Sequence, residues 1–150
     1  MPIPPDIIAI DHDDYHASHV GHTSDGYQFF LTTPFVPPID KHTVSREFVA
    51  LFLFDVDGTL VEARINNLGS REALDEQHAQ QAFDHRLHEL GEVEYGRIMV
   101  RPFQIVRFGT TFGLIPHAPD DKDADWWWVT LEPGNYMAFH EPRDSGIYDT

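Results

Sequence analysis

Glu47-Phe48-Val49-Ala50-Leu51-Phe52-Leu53-Phe54-Asp55-Val56-Asp57-Gly58-Thr59-Leu60-Val61-Glu62-Ala63-Arg64-Ile65-Asn66 is the stretch on which the fold turns. The run from Glu47 to Asp55 is too uniformly apolar for a half-solvated strand, so it reads as a central strand buried on both faces. Beyond Thr59 the pattern alternates, with Val61, Ala63 and Ile65 on one side, which is strand periodicity. Asp57-Gly58 between two such runs is a hairpin signal, because glycine accepts positive φ and aspartate tolerates it.

The same residues offer a competing reading. Asp55-Val56-Asp57-Gly58-Thr59 is similar to the D-x-D-G-T nucleophile loop of the haloacid dehalogenase superfamily. That resemblance implies a Mg²⁺-dependent phosphatase, with Asp55 as nucleophile and Asp57 as acid and base. The rest of the chain does not supply the superfamily's partners. The only lysines are Lys41, which precedes the loop, and Lys122, which follows the acidic pair Asp120-Asp121. A phosphatase also needs a helix after this strand, where the pattern shows a second strand. The hairpin is the favoured reading, and no catalytic residue, metal ligand or cofactor is assigned.

At 150 residues the chain is most simply one globular domain. Its 41% hydrophobic and 13% aromatic content is that of a folded protein. The absence of cysteine excludes disulfides, thiolate metal sites and Cys nucleophiles. No signal-like or membrane-length apolar run is present, so the expectation is a soluble, cytoplasmic protein with no membrane partner. Twenty-five acidic against ten basic residues give a formal charge of −15, which opposes direct binding to nucleic acid. An acidic surface serves solubility, and it can also steer a basic protein partner.

Outward from the hairpin, strands are expected at residues 7–10, 27–33, 97–108, 111–115, 126–131 and 136–139. Pro34, Pro37 and Pro38 make residues 35–43 a connector. Pro102 marks an edge or a bulge, Gly109 a second hairpin turn, and Pro133-Gly134-Asn135 a third. Ser70 is the expected N-cap of a helix over residues 71–90, with Gly91 as its stop and Leu74, Ala79, Ala82, Phe83, Leu87 and Leu90 as its apolar stripe. The expected fold class is α+β: a mainly antiparallel sheet of hairpins with one amphipathic helix on a face.

Four groups of residues invite a function. His12, His16, His19 and His22 have metal-like spacing, but Gly21 and the Asp-rich start argue against the helix that would bring them together. Asp121, Asp123, Asp125 and Glu132 match acidic positions of a calcium loop, but Trp126 stands where that loop needs glycine. Helical His78, His85 and His88 read as incidental. In Trp126-Trp127-Trp128 alternation sends Trp127 to the face opposite its neighbours. Core packing accounts for at least one face, and the other, beside the acidic loop, makes Asp120, Asp121, Asp123, Asp125 and Trp127 the candidate partner-binding set.

Five further segments carry a family likeness. They are Ile8-Ala9-Ile10-Asp11-His12 with Tyr15 and His19, Asp25-Gly26-Tyr27-Gln28-Phe29-Phe30, Tyr95-Gly96-Arg97-Ile98-Met99-Val100-Arg101-Pro102-Phe103, Phe112-Gly113-Leu114, and Gly146-Ile147-Tyr148-Asp149-Thr150. Together they resemble the bacterial formate hydrogenlyase regulatory protein (HycA-like) family. The resemblance implies a non-enzymatic regulator that restrains a transcriptional activator by protein contact. It also implies that residues 54–58 form a Phe-Asp-x-x-Gly turn. An immunity-type protein neutralising a basic toxin is the other non-enzymatic reading of the acidic charge.

Overall fold

In the computed structural model, which describes residues 5–13, 17–38, 40–119, 127–133 and 137–140, the Glu47 run forms the centre of the largest sheet. In chain order the described elements are β1 (Ile8–Ile10), β2 (Val20–Thr23), β3 (Gln28–Thr32), β4 (Phe35–Val36), β5 (Arg46–Phe54), β6 (Leu60–Gly69), α1 (Glu76–Glu89), β7 (Val93–Tyr95), β8 (Ile98–Val100), β9 (Phe103–Arg107), β10 (Thr110–His117), β11 (Trp128–Glu132) and β12 (Ala138–His140). Every described strand pairing is antiparallel.

Strand β5 is covered on both faces, as its composition requires. Phe48, Ala50, Phe52 and Phe54 point into the main core, and Val49 and Leu51 point into a second cluster with Phe29 and Leu31. β3 and β4 lie along one side of β5 and keep one continuous register across Pro34, so the proline interrupts a single strand path without redirecting it. The strand at Phe35–Val36 replaces the connector expected there. β6 pairs along the other side of β5, and β2 and β7 extend the sheet beyond β3.

The helix is shorter than the sequence suggests. Asp75, not Ser70, is the N-cap: its Oδ1 accepts from the Gln77 and His78 amides at 3.0 and 3.2 Å. Residues 70–74 are held as a turn, because Arg71 donates its amide to Ser45 Oγ at 3.0 Å and its Nε to Glu47 at 2.7 Å. Gly91, at φ +69°, follows the helix end as expected. Ala82, Phe83, Leu87 and Leu90 pack on the second cluster. No residue of α1 is fully buried, so the helix lies shallowly on its sheet.

A single sheet is not what forms. β9 to β12 make a separate four-stranded sheet, and β1 pairs with β8 as a two-stranded ribbon. The expected strand 97–108 splits at Arg101-Pro102, because proline cannot continue the ladder, and its halves join different sheets. Phe52 and Phe54 meet Phe103 at 5.0 and 5.5 Å between ring centroids, and Phe48 meets Phe112 edge-on at 5.1 Å. These rings join the four-stranded sheet to the face of β5 opposite α1. The architecture is α+β, with antiparallel sheets dominant and one short helix among the described residues.

No helix of the described residues is long and apolar enough to cross a membrane.

Candidate functional site

The Asp55 octet is a turn. Asp55 Oδ1 accepts from the Asp57 and Thr59 amides, each at 2.9 Å, while Gly58 N–H donates to the Asp55 carbonyl at 3.0 Å. The carboxylate that would have to attack phosphorus is engaged in closing its own loop. The chain then returns as antiparallel β6 and not as a helix. Gly58 alone takes positive φ, +87°, so the connection is a four-residue turn over 55–58 and not the two-residue Asp-Gly hairpin expected. A two-residue turn with both residues at positive φ does occur, at Phe108-Gly109 (φ 54° and 69°) between β9 and β10.

The described histidines of the first cluster disperse. His12 Nε2 donates to the Ser18 carbonyl at 3.1 Å, and His22, on strand β2, donates from Nε2 to the Arg97 carbonyl at 3.0 Å. His19 Nδ1 is hydrogen-bonded to Ser18 Oγ at 2.9 Å, and its ring packs edge-on against Phe83 of α1 and Tyr95 of β7. His16 lies outside the described residues. Burial, and secondarily the charge of His12, lower the His19 pKa from its ordinary value, so His19 is neutral at pH 7.

Of the partner-binding set, Asp120, Asp121, Asp123 and Asp125 lie outside the described residues. Trp127 is half-buried and packs against the main core. Beside it, Trp128 stacks on His117 with 5.1 Å between centroids. The buried Thr130 hydroxyl donates to Glu132 at 3.2 Å and accepts from His117 Nε2 at 2.8 Å. That chain satisfies a buried hydroxyl, and it ties up Glu132, the last member of the acidic calcium-like series.

A feature absent from the sequence reading is a cleft of about 640 Å³ beneath the N-terminal half of α1. Leu31, Val49, Leu68 and Phe83 give it apolar surface, while Ser18, His19, Thr33 and Gln80 bring polar groups. Glu47 and Glu76 are its two carboxylates, and no lysine or arginine lines it among the described residues. Glu47 comes there because β5 alternates: it shares the helix-facing file with Val49 and Leu51, one strand-end beyond the apolar floor. Its side chain is 13% exposed and pairs with Arg71, whose side chain is 65% exposed and whose guanidinium lies 5.1 Å from the Phe35 ring centre. The C-terminal half of α1 is pinned separately, by Arg86 to Asn66 at 2.8 Å and by an Arg64–Glu89 ion pair.

Five chain segments supply this cleft, which is why no local motif marks it. The usable signals were Glu47 at the end of an apolar strand and His19 within the histidine series. No protein-family model matches the chain, and no curated protein or solved structure is significantly similar to it.

Proposed function

We propose that this is a small cytoplasmic regulatory protein that acts by binding a basic protein partner, in the manner the formate hydrogenlyase regulatory (HycA-like) resemblance implies. The observation that carries the reading is the formal charge of −15. Much of the basic complement is already committed: Arg64, Arg71, Arg86, Arg97 and Arg101 each pair with a carboxylate of the chain itself. Exposed Asp25, Glu72, Asp84, Glu92 and Glu94 add to the acidic surface. Such a surface accelerates encounter with a cationic partner and repels nucleic acid. Asp120, Asp121, Asp123, Asp125 and Trp127 form the proposed contact set, with the tryptophan as its aromatic member.

The test is capture of the tagged protein from its native lysate at low and moderate salt, followed by reconstitution with the purified partner. A basic protein bound stoichiometrically, released by salt, and altered in its own activity on binding is the expected result. A transcriptional activator would identify the regulator, and a toxic nuclease-like protein would identify the immunity reading. No specific partner at either salt concentration would overturn both.

A further inference from the structure

We propose that the cleft beneath α1 is a binding site for a small organic cation with an apolar body, such as an aryl- or alkylamine. This inference is independent of the protein-partner reading. At about 640 Å³ the cleft lies within the roughly 300–1,000 Å³ range of small-molecule sites. Its composition selects the sign of the ligand. Glu47 and Glu76 bring carboxyl groups to it, no lysine or arginine lines it among the described residues, and neutral His19 adds no positive charge. An anion would meet Glu76 and a Glu47 already paired with Arg71, whereas an ammonium would gain Glu76 and share Glu47 with the arginine.

The apolar part of the ligand is fixed by the floor. Leu31 and Val49 from adjacent strands, and Phe83 from the helix, form one continuous apolar surface beside Glu47. A ligand with its ring on that surface and its ammonium at Glu47 would bury its apolar area and keep its charge paired. Glu47 is suited to this because its present partner, Arg71, approaches on an exposed side chain. Because its side chain is 65% exposed, the arginine can keep its contact with Glu47 while the carboxylate also receives a ligand ammonium. Along the walls lie the Thr33 hydroxyl, the Ser18 hydroxyl, which is bonded to His19, and the Gln80 amide, which donates to Asp84, as groups that can orient polar substituents. Above the cleft, α1 carries Ala79, whose small side chain leaves the volume open.

The experiment is an NMR titration of the whole protein at pH 8 and physiological salt with 2-phenylethylamine and, separately, its near-isosteric anion 3-phenylpropionate. Expected is saturable one-to-one binding of the amine, with shift changes concentrated at Leu31, Val49, Ala79 and Phe83, and binding of the anion weaker by about tenfold or more. The double variant Glu47→Gln/Glu76→Gln should weaken the amine by about the same factor. Ala79→Phe, which fills the cleft without touching the Glu47–Arg71 pair, should abolish saturable binding and serves if the double variant does not fold. Equal binding of the amine and the anion, no saturable amine binding, or amine shifts spread over the acidic surface and unchanged in the variants would each overturn the proposal.

Discussion

Gln28 and Met99 are joined by a reciprocal pair of hydrogen bonds: the Gln28 side chain accepts the Met99 amide at 2.7 Å and donates to the Met99 carbonyl at 2.9 Å. A side chain thus takes the place of a neighbouring strand and ties the six-stranded sheet to the β1–β8 ribbon. The same Nε2 also donates to the Asp55 carbonyl at 3.1 Å, so the central hairpin turn is drawn into the junction. Arg101 N–H completes it by donating to the Gly58 carbonyl at 2.9 Å. Strand β3, the β1–β8 ribbon and the 55–58 turn therefore meet at one place.

Gln28 is 5% exposed, so removing its amide leaves partly buried backbone groups of Met99 and Asp55 without their partner. Gln28→Leu is expected to lower stability by about 2–3 kcal/mol, from the cost of unsatisfied buried groups. For a domain of this size that is about 5–10 °C in Tm, read by thermal denaturation. Gln28→Glu should be at least as damaging, because an ionised carboxylate cannot donate to the two carbonyls. A Leu variant as stable as the parent would show that the junction contributes nothing.

Gly58 tests the packing side of the same junction. A Cβ there would stand 2.6 Å from the Met99 carbonyl oxygen and 2.9 Å from Val100 Cα, both backbone atoms, at a φ of +87°. Gly26 has nearly the same φ, +91°, with nothing within 4 Å. Gly26→Ala therefore isolates the conformational cost, about 1 kcal/mol, and Gly58→Ala should exceed it by about 2 kcal/mol or more. Urea unfolding of the two variants gives the comparison directly, and equal losses would mean that the turn is not held against β8.

The roles of Asp55 and Asp57 separate in the same way. Asp55→Ala removes the acceptor of two backbone amides and should cost about 1–2 kcal/mol, whereas exposed Asp57→Ala should stay within about 0.5 kcal/mol. Neither variant should change hydrolysis of p-nitrophenyl phosphate in the presence of Mg²⁺. Mg²⁺-dependent turnover abolished by both substitutions would restore the phosphatase reading.

How far the fold could be read in advance depended on whether one signal carried one meaning. The Glu47 run and the presence of a reversal after it were legible because length, apolarity and glycine agreed, although the turn spans residues 55–58 and is not the Asp-Gly type read there. Strand β2 was not, since Gly21 was weighed only against a helix. Its Cβ would meet the Glu94 carbonyl oxygen at 2.1 Å, so glycine is required there for the approach of β7. The helix start was misplaced because Ser70 and Asp75 are both acceptable caps, and the choice was made by Arg71 bonding to Ser45 and Glu47 across the fold. The cleft was invisible for the same reason: its residues converge only through tertiary structure.

The cleft wall carries a pH dependence whose direction follows from His19. Burial lowers its pKa in the folded protein, with the charge of His12 acting the same way, while the unfolded chain titrates near the ordinary 6.5. Between the lowered value and about 6.5 the unfolded state binds more protons than the folded one, so stability rises with pH through that window and falls on acidification. His19→Phe keeps the edge contacts with Phe83 and Tyr95 but has no proton to bind. Its stability should therefore fall less than that of the parent between pH 7 and pH 5. His12, whose charge acts on the ring, and the carboxyl groups of Glu47 and Glu76 that line the same cleft remain in both proteins, so the difference between the two urea-unfolding profiles isolates His19. Parallel profiles would mean that His19 titrates alike in the folded and unfolded chain, and that burial against α1 does not hold it neutral.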